Sequence, residues 1–137
     1  MDSEVRTAPT ICIVDDDEAV RDSLHVLLGM RGFAVRAYES AKAYLADAAA
    51  HNCQCLLVDM HMPEMTGLTL LLTLRDRGTL APAVMVTGKA DQTLAEQATR
   101  AGALGLLKKP VHEDELIAWV DRAVAKADRS AQPGKTR

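Results

Sequence analysis

Four short stretches carry side chains suited to cation and phosphoryl chemistry. Asp59 interrupts an apolar run within LLVDMHMPEMTG (56–67). Asp15, Asp16 and Asp17 follow a second apolar run, TICIV (10–14). Thr87 closes AVMVT (83–87), and Lys108, Lys109 and Pro110 follow ALGLL (103–107). Each stretch alone has a plain reading. An acid run before a helix is usually a cap with dipole partners. An Asp after a strand can cap a turn, and a Lys before Pro is normally solvated. Gathered in one place, the same residues would do more. Two carboxylates about 5 Å apart repel by roughly 3 kcal/mol at an effective dielectric of about 20. Such acids should hold protons or bind a cation. A few all-oxygen ligands favour Mg²⁺, which keeps several waters and also takes phosphate oxygens. Beside such a cation, Asp59 is a credible nucleophile toward a phosphoryl group. Lys109 would supply a second positive charge, and Thr87 a hydrogen bond to a phosphoryl oxygen. His61 could suggest a softer metal, but it is a lone imidazole, and its backbone carbonyl is as good a ligand as its ring.

The elements must bring these residues together. TICIV (10–14), CLLV (55–58) and AVMVT (83–87) are short and apolar, as strands buried on both faces are. FAVRAY (33–38) alternates and predicts a strand nearer a sheet edge, and ALGLL (103–107) a fifth strand. Between them lie helical patterns. Residues 17–31 space Val20, Leu24, Leu27, Leu28 and Arg31 on one face, and Gly32 stops the helix. Ser40 is a candidate N-cap for a helix through about Ala49. Residues 66–77 place Leu68, Leu71, Leu72 and Arg75 on the pattern and end at Gly78. Residues 91–101 are a polar helix ended by Gly102, and 112–127 a last helix with Leu116, Val120, Ala123 and Ala127 on one face. Five strand–helix units imply a doubly wound α/β parallel sheet covered on both faces. In such sheets ligands bind outside the carboxyl ends of the strands. That rim is where the Asp run, Asp59, Thr87 and Lys109 fall.

Composition bounds the rest. The 137 residues suit one domain, expected as an N-terminal extension (1–9), a folded unit (10–127) and a polar tail or linker start (128–137). Aromatics are 3%, so the core must be aliphatic and methionine-rich. A net charge of −3 without clustered basic residues gives no nucleic-acid footprint. No apolar stretch reaches the roughly 18–20 residues of a membrane span, and the N-terminus has no signal-peptide core. Cys12, Cys53 and Cys55 form no CxxC and are odd in number, so they are expected to be buried thiols in a reducing cytoplasm.

The stretches IVDDDEAVR (13–21), LLVDMHMPEMTGL (56–68), MVTGKAD (85–91) and LLKKP (106–110) resemble the receiver domain of bacterial two-component response regulators, the CheY-like superfamily. The wording is most similar to receivers that precede a helix-turn-helix output domain. The resemblance implies a flavodoxin-like fold with five strands in the order 2-1-3-4-5 and five helices. It implies that Asp59 is the phosphoacceptor, with Mg²⁺ held directly by Asp16, through a water by Asp15, and by Asp59 and the backbone carbonyl of His61. Thr87 would be the switch hydroxyl, Lys109 the pocket lysine, and Lys109–Pro110 a cis bond. The implied donor is a phosphohistidine on a sensor histidine kinase. The chain would phosphorylate and slowly dephosphorylate itself, acting as a switch rather than a turnover enzyme. Its implied readers are a downstream effector or a fused output domain, such as one controlling transcription, and a homodimer formed on phosphorylation. The switching face would be the fourth and fifth helices with the fifth strand. One position departs from the pattern: relatives usually carry an aromatic residue where this chain has Leu106, a switch position. We expect Leu106 to stay packed, beside Leu104 or the helix at 91–101.

Two other classes share parts of this pattern. A Mg²⁺-dependent phosphohydrolase with an aspartyl-phosphate generally needs an acid two residues after the nucleophile, where this chain has His61, and its nucleophile usually follows the first strand. A flavodoxin-like FMN binder would need a Ser/Thr/Gly-rich phosphate loop after the first strand. The run DDDE (15–18) would repel a phosphate there.

Overall fold

The computed structural model describes residues 8–47, 52–89 and 92–131. Its elements alternate strictly: β1 (Thr10–Val14), α1 (Glu18–Met30), β2 (Ala34–Tyr38), α2 (Ala41–Ala46), β3 (Cys55–Asp59), α3 (Gly67–Asp76), β4 (Ala83–Thr87), α4 (Gln92–Arg100), β5 (Gly105–Lys108) and α5 (Glu113–Ala131). All strand pairings are parallel, in the order β2-β1-β3-β4-β5. The expected doubly wound α/β sheet is therefore the one observed.

Alternation along the central strands sends side chains into two cores. Cys12, Val14, Leu56, Val58, Ala83 and Met85 face α2, α3 and α4, meeting Tyr44, Leu70, Leu71, Leu74, Leu94 and Ala98. Ile11, Ile13, Cys55, Leu57, Val84 and Val86 face α1 and α5, meeting Leu24, Leu28, Leu116, Val120 and Ala123. Each fully buried Leu or Ile contributes about 1.5–3 kcal/mol, so β1, β3 and β4 form the rigid floor under the rim. All three cysteines are buried and free of disulfides.

Local signals placed the ends. Asp17 caps α1 by accepting from the amides of Ala19 and Val20, and Ser40 caps α2 by accepting from Ala43. Gly32, Gly78 and Gly102 all take positive φ at the helix ends where only glycine does so freely.

Four expectations need correction. The buried face of α3 is Gly67, Leu70, Leu71 and Leu74, while Leu72 is exposed. Leucines crowd 68–74 so densely that periodicity left the phase open. The fifth strand lies at Gly105–Lys108 rather than 103–107, because Ala103 and Leu104 complete the turn after Gly102. The last helix runs to Ala131 rather than 127, since nothing in Asp128–Ala131 breaks a helix. The second helix, expected from Ser40 through about Ala49, ends at Ala46, where Asp47 turns extended and its amide donates to the Tyr44 carbonyl. Positions 48, 49 and 91 of the expected helices lie outside the described residues, as do most of the N-terminal extension and residues 132–137.

Candidate functional site

β1, β3, β4 and β5 end at the same edge of the sheet, within two register positions of one another. Val14 pairs with Val58, Asp59 with Val86, and Thr87 with Lys108. The rim above them therefore collects Asp15, Asp16, Asp59, Thr87 and Lys109.

Asp15 and Asp59 are 2% and 5% exposed, whereas Asp16 is open to solvent. Carboxylate oxygens of Asp15, Asp16 and Asp59 all lie within 4.8 Å of one another. This is the single such His/Cys/Asp/Glu group among the described residues. Asp17 stands apart as the α1 cap. The acid run thus divides: one member does the ordinary capping work and two turn to the rim. Asp15 is held at several atoms. Its amide donates to the Tyr38 carbonyl at 3.1 Å, its Oδ1 accepts from the Asp17 amide at 2.9 Å, and its carbonyl accepts from Arg21 Nη1 at 2.8 Å.

Lys109 reaches into the acids. Its Nζ is 3.0 Å from Asp15 Oδ2 and 3.4 Å from Asp59 Oδ1. The Lys109–Pro110 bond is cis, and the Lys109 amide donates to the Thr87 carbonyl at 2.7 Å. Burial on its own would lower the Lys109 pKa; the hydrogen bonds and charges of Asp15 and Asp59 outweigh it and hold the ammonium above its ordinary value. Asp59 is pushed above the ordinary carboxylate range, first by burial and then by the charge of Asp15, against the opposing pull of Lys109. A carboxylate strained in this way gains by binding a cation.

Thr87 is fully buried, and its hydroxyl accepts from the Lys89 amide at 3.1 Å and lies 3.3 Å from the Lys89 carbonyl. His61 is exposed two residues beyond Asp59, and its ring stands outside the acidic group. Leu106 is half-buried and packs against the core layer of α4. Of the two neighbours expected for it, α4 is the one on its side, because Leu104 packs with the opposite layer.

Two residues of the site were not singled out from sequence. Gly67 opens α3 directly under Asp59: a Cβ there would lie 2.5 Å from the Asp59 carbonyl oxygen. The Thr66-Gly67 pair after the loop was the visible signal. Arg21 was visible only as a cation near a helix N-terminus, where the helix dipole disfavours one.

A family model, Response regulator receiver domain, matches residues 11–121. The chain belongs to the response regulator receiver domain family. The receiver is 40% identical over 114 residues to transcriptional regulatory protein FixJ of Rhizobium meliloti strain 1021, covering 83% of this chain and 56% of that one. It is 36% identical over 128 residues to response regulator protein TodT of Pseudomonas putida strain F1, covering 92% and 56%. A crystal structure of FixJ-N superposes with a TM-score of 0.79 at 38% identity, covering 88% of this chain and 96% of that one. The chain therefore spans 56% of the length of these two curated relatives. Receiver membership displaces the phosphohydrolase and FMN readings. Among the described residues, no helix of the receiver is long and apolar enough to cross a membrane.

Proposed function

We propose that this receiver is a phosphoacceptor switch, with Asp59 the residue that carries the phosphoryl group. The observation that carries the reading is the convergence of Asp15, Asp16 and Asp59 oxygens within 4.8 Å, with Lys109 Nζ against two of them. The donors are all oxygen, with no thiol or imidazole among them, which suits a hard cation and Mg²⁺ in particular. Asp15, Asp16, Asp59 and the backbone carbonyl of His61 would hold it, and once bound it would supply positive charge to the oxygens of the transferring group.

Asp59 Oδ attacks the phosphorus of a phosphohistidine on a sensor kinase. The O–P bond forms, the P–N bond breaks, and the electron pair leaves with the imidazole. Lys109, already aimed at Asp59, balances the charge of the new acyl phosphate. Thr87 then turns its hydroxyl from the Lys89 backbone to a phosphoryl oxygen, which pulls on the β4–α4 loop. Reversal is hydrolysis: water attacks phosphorus and the Asp59 carboxylate is released. The receiver unit is assigned to residues 10–131, through the end of α5, acting in the cytoplasm with a sensor histidine kinase upstream. Its readout passes through the α4–β5–α5 face to a downstream effector, a fused output domain controlling transcription, or a phosphorylation-dependent homodimer.

The test is uptake of isotopically labelled phosphate from acetyl phosphate. Wild type should label in Mg²⁺ and not in chelator, and Asp59→Asn and Asp16→Ala should both fail. Equal labelling of Asp59→Asn and wild type would remove the assignment.

A further inference from the structure

We propose that Arg21 is a positioning residue that locks the β1–α1 turn in the shape that gathers Asp15 and Asp16 onto Asp59. The inference rests on the cation-site reading above and extends it to a side chain that touches neither cation nor phosphoryl group.

The sheet ladder of β1 ends at Val14, so the Asp15 carbonyl lies beyond strand pairing. The Arg21 guanidinium takes up that carbonyl at 2.8 Å from a half-buried position in the first turns of α1. The other polar atoms of Asp15 meet groups with separate duties. Oδ1 meets the Asp17 amide, and Oδ2 meets Lys109, whose charge is needed at Asp59 once a phosphoryl group arrives. With the Asp15 amide donating to the Tyr38 carbonyl, the Arg21 contact is the side-chain bond to the Asp15 backbone that need not change during the cycle. It also closes a ring: Asp17 caps α1, the Arg21 amide donates to the Asp17 carbonyl at 3.0 Å, and the Arg21 side chain returns to Asp15. Asp15 and Asp17, on either side of Asp16, are thereby tied to the helix.

The location of the arginine supports this role. A cation near a helix N-terminus sits against the helix dipole, and a residue that breaks a local rule usually serves the site instead. Here the guanidinium is committed to a backbone carbonyl of the turn that carries the acids.

Mn²⁺ binding tests the proposal, because Mn²⁺ accepts the same carboxylate, carbonyl and water ligands as Mg²⁺ and free Mn²⁺ is counted by electron paramagnetic resonance. Arg21→Met keeps the length of the side chain but has no donor. It should weaken Mn²⁺ binding about tenfold, the scale of losing one charged hydrogen bond. Arg21→Lys can still reach the carbonyl and should stay within about twofold of wild type, a rescue that mere packing would not require. If Arg21→Met does not fold cooperatively in chelator, Arg21→Gln, too short to reach the carbonyl, should show the tenfold loss instead. Wild-type affinity in the Met or Gln variant, tighter binding in either, or an equal loss in Arg21→Lys would overturn the proposal while leaving the cation site standing. Failure of wild type itself to bind Mn²⁺ would overturn both.

Discussion

Gly67→Ala should damage both stability and the site, although alanine is the better helix former. An added Cβ would meet the Asp59 carbonyl oxygen at 2.5 Å, and Met85 Cε and Val58 Cγ1 each at 2.9 Å. The methionine methyl can swing away. The Asp59 carbonyl cannot, because it belongs to a fully buried strand paired on both sides. The start of α3 must therefore back away from β3. Overpacking of this kind costs about 1–3 kcal/mol, offset by up to about 1 kcal/mol for replacing a helical glycine. The net loss should be about 1–2 kcal/mol, a fall in Tm of roughly 4–8 °C at about 4 °C per kcal/mol. Gly29→Ala is the control. Gly29 lies in α1 with open space around its Cβ position, so the same change there should stabilise by about 0.5–1 kcal/mol. Thermal unfolding of both variants, with phosphoryl uptake measured in parallel, checks the pair. If Gly67→Ala matches or exceeds wild type in Tm, the close approach of α3 to Asp59 does not constrain the molecule as argued.

Asp59→Asn should stabilise the receiver in chelator at neutral pH. The raised pKa of Asp59 means its ionised form costs the folded state, a cost absent below the unfolded value of 3.8 and fully present above the raised folded value. The gain should therefore vanish in Tm measurements at low pH, and a gain independent of pH would contradict the cause given. In hydrogen exchange, α4 should be the fastest of the five helices, because its buried residues are one leucine and one alanine, Leu94 and Ala98, against two leucines in α1 and a buried tyrosine in α2; protection equal to that of α1 would contradict this. Leu106 should stay packed against the α4 layer on binding beryllofluoride, since exposing a leucine costs about 1.5–3 kcal/mol. A crystal structure showing it swing between exposed and buried would mean an aliphatic version of the aromatic switch.

The floor of the site was legible because β3 and β4 are apolar up to their last residues, as strands of a parallel sheet covered on both faces are. The rim followed, since Asp59, Thr87 and Lys109 sit at the ends of those runs. Legibility failed wherever a long-range contact decided between local equals. Nothing in DDD (15–17) says that Asp17 caps and Asp15 turns inward; the Lys109 ammonium and the Arg21 guanidinium settle it. The phase of α3 is set by the approach of Gly67 to the Asp59 backbone, which no periodicity carries. β5 includes Gly105 because the Trp119 ring of α5 lies where a side chain would stand, a contact across 14 residues of sequence.

On the proposed reading, the phosphoryl group lands on Asp59. Acetyl phosphate treatment in Mg²⁺, followed by borohydride reduction, converts an aspartyl-phosphate to homoserine, which peptide mass spectrometry then locates. Homoserine is expected at position 59 alone, in a Mg²⁺-dependent yield. Homoserine at position 15 or 16 with Asp59 intact, or none at any position, would contradict that reading.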